Sequence, residues 1–363
     1  MEAERRATPP FHLVPTRQIA TRALSPIESL APAWDETLRV LFRPFVGRRW
    51  IALSVVCLFL GGGTTTAAFQ WGFSALPIDL HISELLLQIR IVIAQHLSLS
   101  VLAVLLSLSL VLGLIYARCI LRFVLIEAVI RRDVEVRTAW KGLKSCGRSY
   151  FLWLLGVVGA LLAVGSGLAV VSFRLLSFLR DAGDPWWVGS LLLVAELAAV
   201  VFIGVLVAIT ITLTDDLVAP LMYADEISLP MAWRIVWRIS RGEHGTFVVY
   251  LMLRFALSMG ISIAALFVLF PVLMGLSSVA LVIAALGVLT LRIVGLAWAW
   301  NPVTMFLAAV ALAIFTGLLF SLLSVVGMPG QVYLQNYGVR FIASRVPSLG
   351  ELCRVSSPWP RNR

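Results

Sequence analysis

The pair Ala-Trp at Ala33-Trp34, Ala139-Trp140 and Ala232-Trp233 is followed each time, about 10 to 16 residues later, by a long apolar run; the pair occurs again at Ala297-Trp298 and Ala299-Trp300, outside this spacing. Runs of 18 or more apolar residues can cross a hydrocarbon core of about 30 Å at 1.5 Å per residue. Such runs are read at Trp50–Phe73, Leu97–Ala117, Phe151–Phe173, Trp186–Leu213, Phe247–Phe270, Leu276–Ala297 and Val303–Val326. Hydrocarbon offers no water to the backbone, so each run is expected to be a helix that satisfies its own N–H and C=O groups. The recurrence predicts an all-α, polytopic transmembrane helix bundle. Its unit is a cytosolic amphipathic helix plus a membrane hairpin, written three times at about 29–133, 134–226 and 227–350.

Composition supports the same class. Hydrophobic residues make up 60% of the chain, charged residues 13%, and the mean hydropathy is +0.96, whereas soluble domains carry about 25% charged residues. The first 49 residues hold no apolar core, so the first run is expected to be an uncleaved anchor. Residues 1–28 and 351–363 read as disordered tails. The four cysteines lack CxxC spacing and a partnering histidine, the pattern of single thiols.

Charge placement orients the chain. Eight Lys or Arg precede residue 50, eight lie in 118–150 and three in 215–245, against one in 74–96 and two in 174–185. Basic connections stay in the cytosol, so the N-terminus and both basic connections are expected inside, at the cell membrane. The net charge of +10 then reflects contact with anionic inner-leaflet lipids, worth about 1 kcal/mol per basic residue near the surface, and not nucleic acid. Seven spans would put the C-terminal tail outside despite its five arginines. Six are preferred, because Met328–Leu334 corresponds to the earlier exits Arg122–Glu127 and Leu217–Tyr223. One apolar piece of 271–301 is then expected to be re-entrant or to lie along the outer interface.

The cytosolic helices carry the candidate binding residues. Arg137, Lys141, Lys144 and Arg148 recur at helical spacing and form one basic face, with Val136, Ala139, Trp140 and Leu143 opposite. The same pattern places Arg234, Arg238 and Arg241 across from Trp233, Val236 and Trp237. In the first copy Trp34, Leu38, Leu41 and Phe45 form the stripe. Such helices can lie in the headgroup plane and recognise membrane lipids or a membrane protein partner. The plainer role is to join hairpins and pack their tryptophans on the bundle. Gly159, Ala163 and Gly167 fall four apart, a stripe expected to let helices pack closely inside the bundle.

Ionisable residues at depth demand partners, since an unpaired charge there costs at least about 2.5–3.5 kcal/mol. Glu196 and Arg254 are expected to face one another, either as a static pair or as part of a path. Arg292 is a third candidate, with Trp298 and Trp300 near it. Catalytic motifs are missing: no HExxH, GxSxG or Walker A loop occurs. His81 and Glu84 offer too few ligands for a metal, on a possible outer helix Pro77–Gln95. Asp215-Asp216 and Asp225-Glu226 are expected to face the cytosol and cap helix ends, and Ile227–Pro230 reads as a helix start. No cofactor and no enzymatic activity are expected. The leading reading is a lipid or partner organiser at the inner leaflet, and the alternative is a transporter or channel using Glu196, Arg254 and Arg292.

The entry Leu41-Phe-Arg-Pro-Phe45 with Trp50 and Gly61–Gly63, and the close Pro329–Tyr337 through Pro347, resemble a prokaryotic polytopic family of unknown function. The stretch Tyr223–Glu226 through Arg241-Gly242 is similar to the membrane module attached to some glycerophosphoryl diester phosphodiesterases. The resemblance spans roughly residues 30–350 and implies a membrane module. The soluble phosphodiesterase domain has no counterpart here, so no hydrolytic residue carries over.

Overall fold

A computed structural model describes residues 23–43, 45–60, 97–131, 136–182, 186–293 and 302–355. The described elements are α1 (Leu30–Phe42), α2 (Gly47–Leu60), α3 (Leu97–Arg131), α4 (Val136–Gly142), α5 (Lys144–Ala182) and α6 (Trp186–Leu213). A π-helical turn (Thr214–Val218) links α6 to α7 (Ala219–Asp225), and then come α8 (Leu229–Gly242), α9 (His244–Ile293), α10 (Pro302–Ala343) and α11 (Pro347–Val355). All are helices. Five stretches among them are long and apolar enough to cross a membrane: Val101–Arg131, Lys144–Leu175, Trp187–Asp225, His244–Gly287 and Ala313–Ala343.

The long helices are unevenly packed along their length. One end holds the main core, where Phe123, Ile126, Leu217, Leu221, Tyr250, Tyr337 and Phe341 are almost completely buried. Val40, Leu53, Val56, Ile120, Leu125 and Met328 form an adjoining cluster at that same end. Toward the other end apolar side chains point outward, from Leu152 to Phe173 on α5 and from Trp187 to Ile209 on α6. Those belts of 22 and 23 residues are about 33–35 Å tall at 1.5 Å per residue, matching the hydrocarbon core. Burial against lipid replaces burial against protein there, so outward Leu and Val are expected on this surface.

Three helices overrun the apolar runs read from the sequence. α3 continues past Ala117 to Arg131, α5 begins at Lys144, ahead of Phe151, and α10 continues through Pro329 to Ala343. Their extensions carry the core residues, so the helical period persists after the lipid-facing belt ends. The runs Phe247–Phe270 and Leu276–Ala297 are not two elements. α9 is one helix of 50 residues with Pro271 inside it, so through Ile293 the chain neither reverses nor re-enters. Ala265 and Leu269 on α9 pack against Leu323 on α10.

Both described ends of the chain meet at the packed end. Ala33 of α1 and Leu349 of α11 share the main core, and Arg345 donates to the Leu24 carbonyl (3.2 Å). Order begins ahead of α1: Ser25 and Glu28 exchange hydrogen bonds as a capping box, at 2.8 and 3.1 Å. The structured chain therefore starts before residue 28. The stripe of α1 is also shifted from the expected one. Ala33, Glu36, Thr37, Val40 and Leu41 face inward, while Trp34 is 54% and Phe45 64% exposed. Gly159 and Gly167 meet no other atoms within 4 Å of a Cβ position, so the small-residue stripe faces away from the bundle. Gly61–Gly63, Pro77–Gln95 with His81 and Glu84, Trp298 and Trp300 lie outside the described residues.

Candidate functional site

The most unusual chemistry of the chain sits where α6 gives way to its π-helical turn. The wider turn inserts a residue into the helical ladder and directs Asp215 and Asp216 sideways into the bundle, the latter with a side chain only 1% exposed. Arg254, on the third turn of α9, donates from Nε to Asp216 Oδ2 (2.6 Å) and from Nη2 to Oδ1 (3.4 Å). That is the two-pronged geometry that guanidinium and carboxylate favour. Tyr250, one turn earlier on α9, donates to the same Oδ2 at 3.2 Å. Arg122 of α3 lies 3.3 Å from Asp215 and 3.6 Å from Asp216. Tyr150 of α5 donates to Asp215 at 2.5 Å. Two carboxylates, two guanidiniums and two phenols thus converge from α3, α5, the π-helical turn and α9.

Close packing fixes this cluster from below. Tyr250 stacks between Tyr337 (5.1 Å) and Phe341 (4.4 Å) of α10. Gly338 brings α10 so near the turn that a Cβ there would lie 2.8 Å from the Asp216 carbonyl oxygen. Only a residue without a side chain permits that approach. The charges cancel, and each carboxylate is held by an arginine and a tyrosine. The cluster can therefore clasp helices together, but it presents no free base or nucleophile for chemistry.

Asp215 and Asp216 do not face the cytosol as helix caps, as their position after an apolar run suggested. They are the acidic half of the clasp. Arg254 is paired, with Asp216 and not with Glu196. Glu196 precedes Asp216 by 20 residues along nearly continuous helix, about 30 Å, and among the described residues makes no ion pair. The expectation failed because depth was counted from the ends of apolar runs, and the packed end extends well beyond them. A signal did exist: Arg122 stands between the apolar pairs Ile120-Leu121 and Phe123-Val124, and Asp215-Asp216 follow 28 residues of α6 with no adjacent cation.

Two further ion pairs tie the termini to the core. Arg340 of α10 donates to Glu36 of α1 (2.8 Å), one turn from Asn336, which donates to Thr37 (3.1 Å). Arg345 donates to Glu243, at 2.8 and 3.1 Å. Cys353 on α11 is half-buried beside the Arg340–Glu36 pair, and burial raises its thiol pKa above the usual range, Arg340 opposing the shift and Glu36 adding to it.

The basic faces are outward. Lys141, Lys144 and Arg148 are exposed, and Trp140 packs against the core. Lys144 and Arg148 belong to the first turns of α5 and not to a separate amphipathic helix. Arg137 is in the first turn of α4 and Arg292 in the last turn of α9, and both side chains lie outside the described residues. On α8, Arg234, Arg238 and Arg241 are exposed, while Leu229, Ala232 and Val236 are buried and Trp233 packs beside them. Trp237 departs from its expected place: it is 56% exposed and lies under the Arg241 guanidinium at 5.5 Å. Ser228 precedes α8 in extended conformation with a proline in the first turn, the start read from Ile227–Pro230.

A cleft of about 650 Å³ opens between the end of α3, α4 and α7, lined by Glu127, Arg131, Cys146, Tyr223 and Glu226. Glu127 is held by Arg131 at 3.4 Å, and the Cys146 thiol donates to the Met222 carbonyl (3.9 Å). Glu226 ends α7 at φ 51°, a left-handed conformation that few side chains adopt.

No curated protein and no solved structure matches this chain. One family model covers residues 24–352, from the capping box ahead of α1 to α11, and by that match the chain belongs to the family of unknown function DUF7544.

Proposed function

We propose that this multi-pass protein of the cell membrane organises anionic lipid or a protein partner at the inner leaflet, without catalysing a reaction. The observation that carries the reading is the outward placement of Lys141, Lys144, Arg148, Arg234, Arg238 and Arg241 at the packed end, with Trp140 and Trp233 turned inward. Exposed cations that make no ion pair among the described residues, at the inner edge of a lipid-facing belt, attract anionic headgroups. The packed end then faces the cytosol, with both termini on that side and nucleic acid playing no part.

The unit of short helix plus membrane hairpin is part of the same proposal. Its support is the order α1–α2–α3, α4–α5–α6 and α8–α9–α10, together with the exits near Arg122, Leu217 and Met328, all of which enter the cores. The kinship with the module attached to glycerophosphoryl diester phosphodiesterases rests on Tyr223–Gly242 alone and brings no activity. Transport through Glu196, Arg254 and Arg292 draws less support, because Asp216 neutralises Arg254.

Native mass spectrometry of the protein in its own lipid patch tests the proposal. Retained anionic lipid or a stoichiometric partner, lost when Lys141, Lys144 and Arg148 are neutralised, is the expected result. A small solute retained only while Glu196 is intact would replace it with transport.

A further inference from the structure

A second lipid-directed feature lies away from the basic helices, on the face shared by α2 and α10. There a groove of about 420 Å³ runs between the two helices, walled by Trp50, Ile51, Val55 and Leu58 on one side and Ser321 and Val325 on the other. Its volume falls in the range of small-ligand sites. The floor is closed: Ser324 donates to the Ser54 carbonyl, and Ser54 donates to the Met328 sulfur at 3.8 Å. The serine hydroxyls are thereby spent on internal bonds, and what faces the groove is hydrocarbon. Val55 and Val325 are well exposed, so the groove opens sideways, where the outward side chains of the bundle meet lipid.

One end of the groove is different. Gly47 opens α2, and the link before it carries Phe42, Arg43, Phe45 and Val46. Phe42 and Phe45 pack on Trp50 at 5.4 and 5.6 Å, and the Trp50 indole donates to the Leu41 carbonyl (2.7 Å), which fixes the mouth. Phe45, Arg43 and Arg48 are all exposed. Helical spacing puts Arg48 one and two turns ahead of Ile51 and Val55, on the rim of the groove. Aromatic rings beside arginines are what a chain presents at headgroup level, and a guanidinium matches a phosphate with two parallel hydrogen bonds.

We infer that this groove holds one acyl chain of an anionic phospholipid whose phosphate is bound by Arg43 and Arg48. The apolar walls select a chain, and the two exposed cations at one end, without an ion pair among the described residues, select the charge of its headgroup. A zwitterionic lipid fits the groove but gains less from the mouth. The inference rests on the reading that the packed end faces the inner leaflet, and it uses none of the residues of the α4, α5 and α8 basic faces.

The full chain, reconstituted in nanodiscs of equal phosphatidylglycerol and phosphatidylcholine with matched acyl chains, is ejected for native mass spectrometry. Phosphatidylglycerol is expected to be retained over phosphatidylcholine at roughly five to one, the discrimination that about 1 kcal/mol from a basic residue near an anionic headgroup supplies. R43Q/R48Q should abolish the preference, and V55W, which fills the exposed wall of the groove, should abolish retention. Neutralising Lys141, Lys144 and Arg148 should lower the number of anionic lipids retained but leave one bound, which only R43Q/R48Q or V55W removes, so the organiser proposal and this one fail separately. Retention in the bulk ratio, or a preference that survives R43Q/R48Q, overturns the assignment. As a check that needs no variant, a phosphatidylglycerol carrying a photoreactive diazirine on its acyl chain should label peptides containing residues 50–58 and 321–325. Uniform labelling around the bundle would overturn it equally.

Discussion

At the scale of single residues, the decisive contact is Arg254 on Asp216. Both charges leave water, so each depends on the other, and removing one partner of a buried pair costs about 3–5 kcal/mol. Asp216→Asn should therefore lower the thermal midpoint sharply, read as the folded fraction by size exclusion after heating. Glu196→Gln should leave that midpoint in place, since Glu196 holds no partner among the described residues. Equal effects of the two changes would show that the clasp is misassigned. Cys353 gives a pH-dependent prediction. Its thiol pKa is raised by burial, and only the thiolate reacts. Maleimide labelling of Cys353, followed by peptide mass spectrometry, should be slow at pH 8 and keep rising beyond the range where an ordinary thiol has levelled off. A plateau near pH 9 would contradict the burial.

At the scale of elements, α8 is the clearest case of one sequence pattern serving two neighbours. Its buried side, Leu229, Ala232 and Val236, closes the core, and its opposite side carries three arginines with Trp237 beside them. Because those arginines are exposed and make no ion pair among the described residues, Arg234, Arg238 and Arg241 changed together to Gln should shift stability by no more than about 0.5 kcal/mol, as surface changes do. Retention of anionic lipid in native mass spectra should fall at the same time. A large loss of stability would mean that the arginines support the fold instead. The periodicity of α8 was readable in the chain, including which residues face inward, apart from Trp237. The pairing of α9 was not, because a charge within an apolar helix declares that it needs a partner and does not say which. Asp215-Asp216 looked like a helix end for a related reason: a π-helical turn leaves no mark in hydropathy, yet it turns two carboxylates from the surface into the core.

At the scale of the whole molecule, the sequence announced a helix bundle with apolar belts, and that much needs only composition and length. Where the helices end was harder, since α3, α5 and α10 continue beyond lipid into a protein core with the same apolar residues. The single helix α9 replaces two apolar runs, one piece of which was expected to re-enter or to lie along the outer interface: Pro271, Gly275 and Ser277-Ser278 lower hydropathy without breaking the helix. The packed end then gathers α1, the three exits, the paired charges and α11, and leaves Lys141, Lys144, Arg148 and the three α8 arginines outside. We propose that this end lies in the cytosol against the inner leaflet. Paired topology reporters fused after Gly142 and after Val355 test it most directly. Both fusions are expected to be active only as cytosolic reporters, and activity of either one only outside the cytosol would overturn this placement.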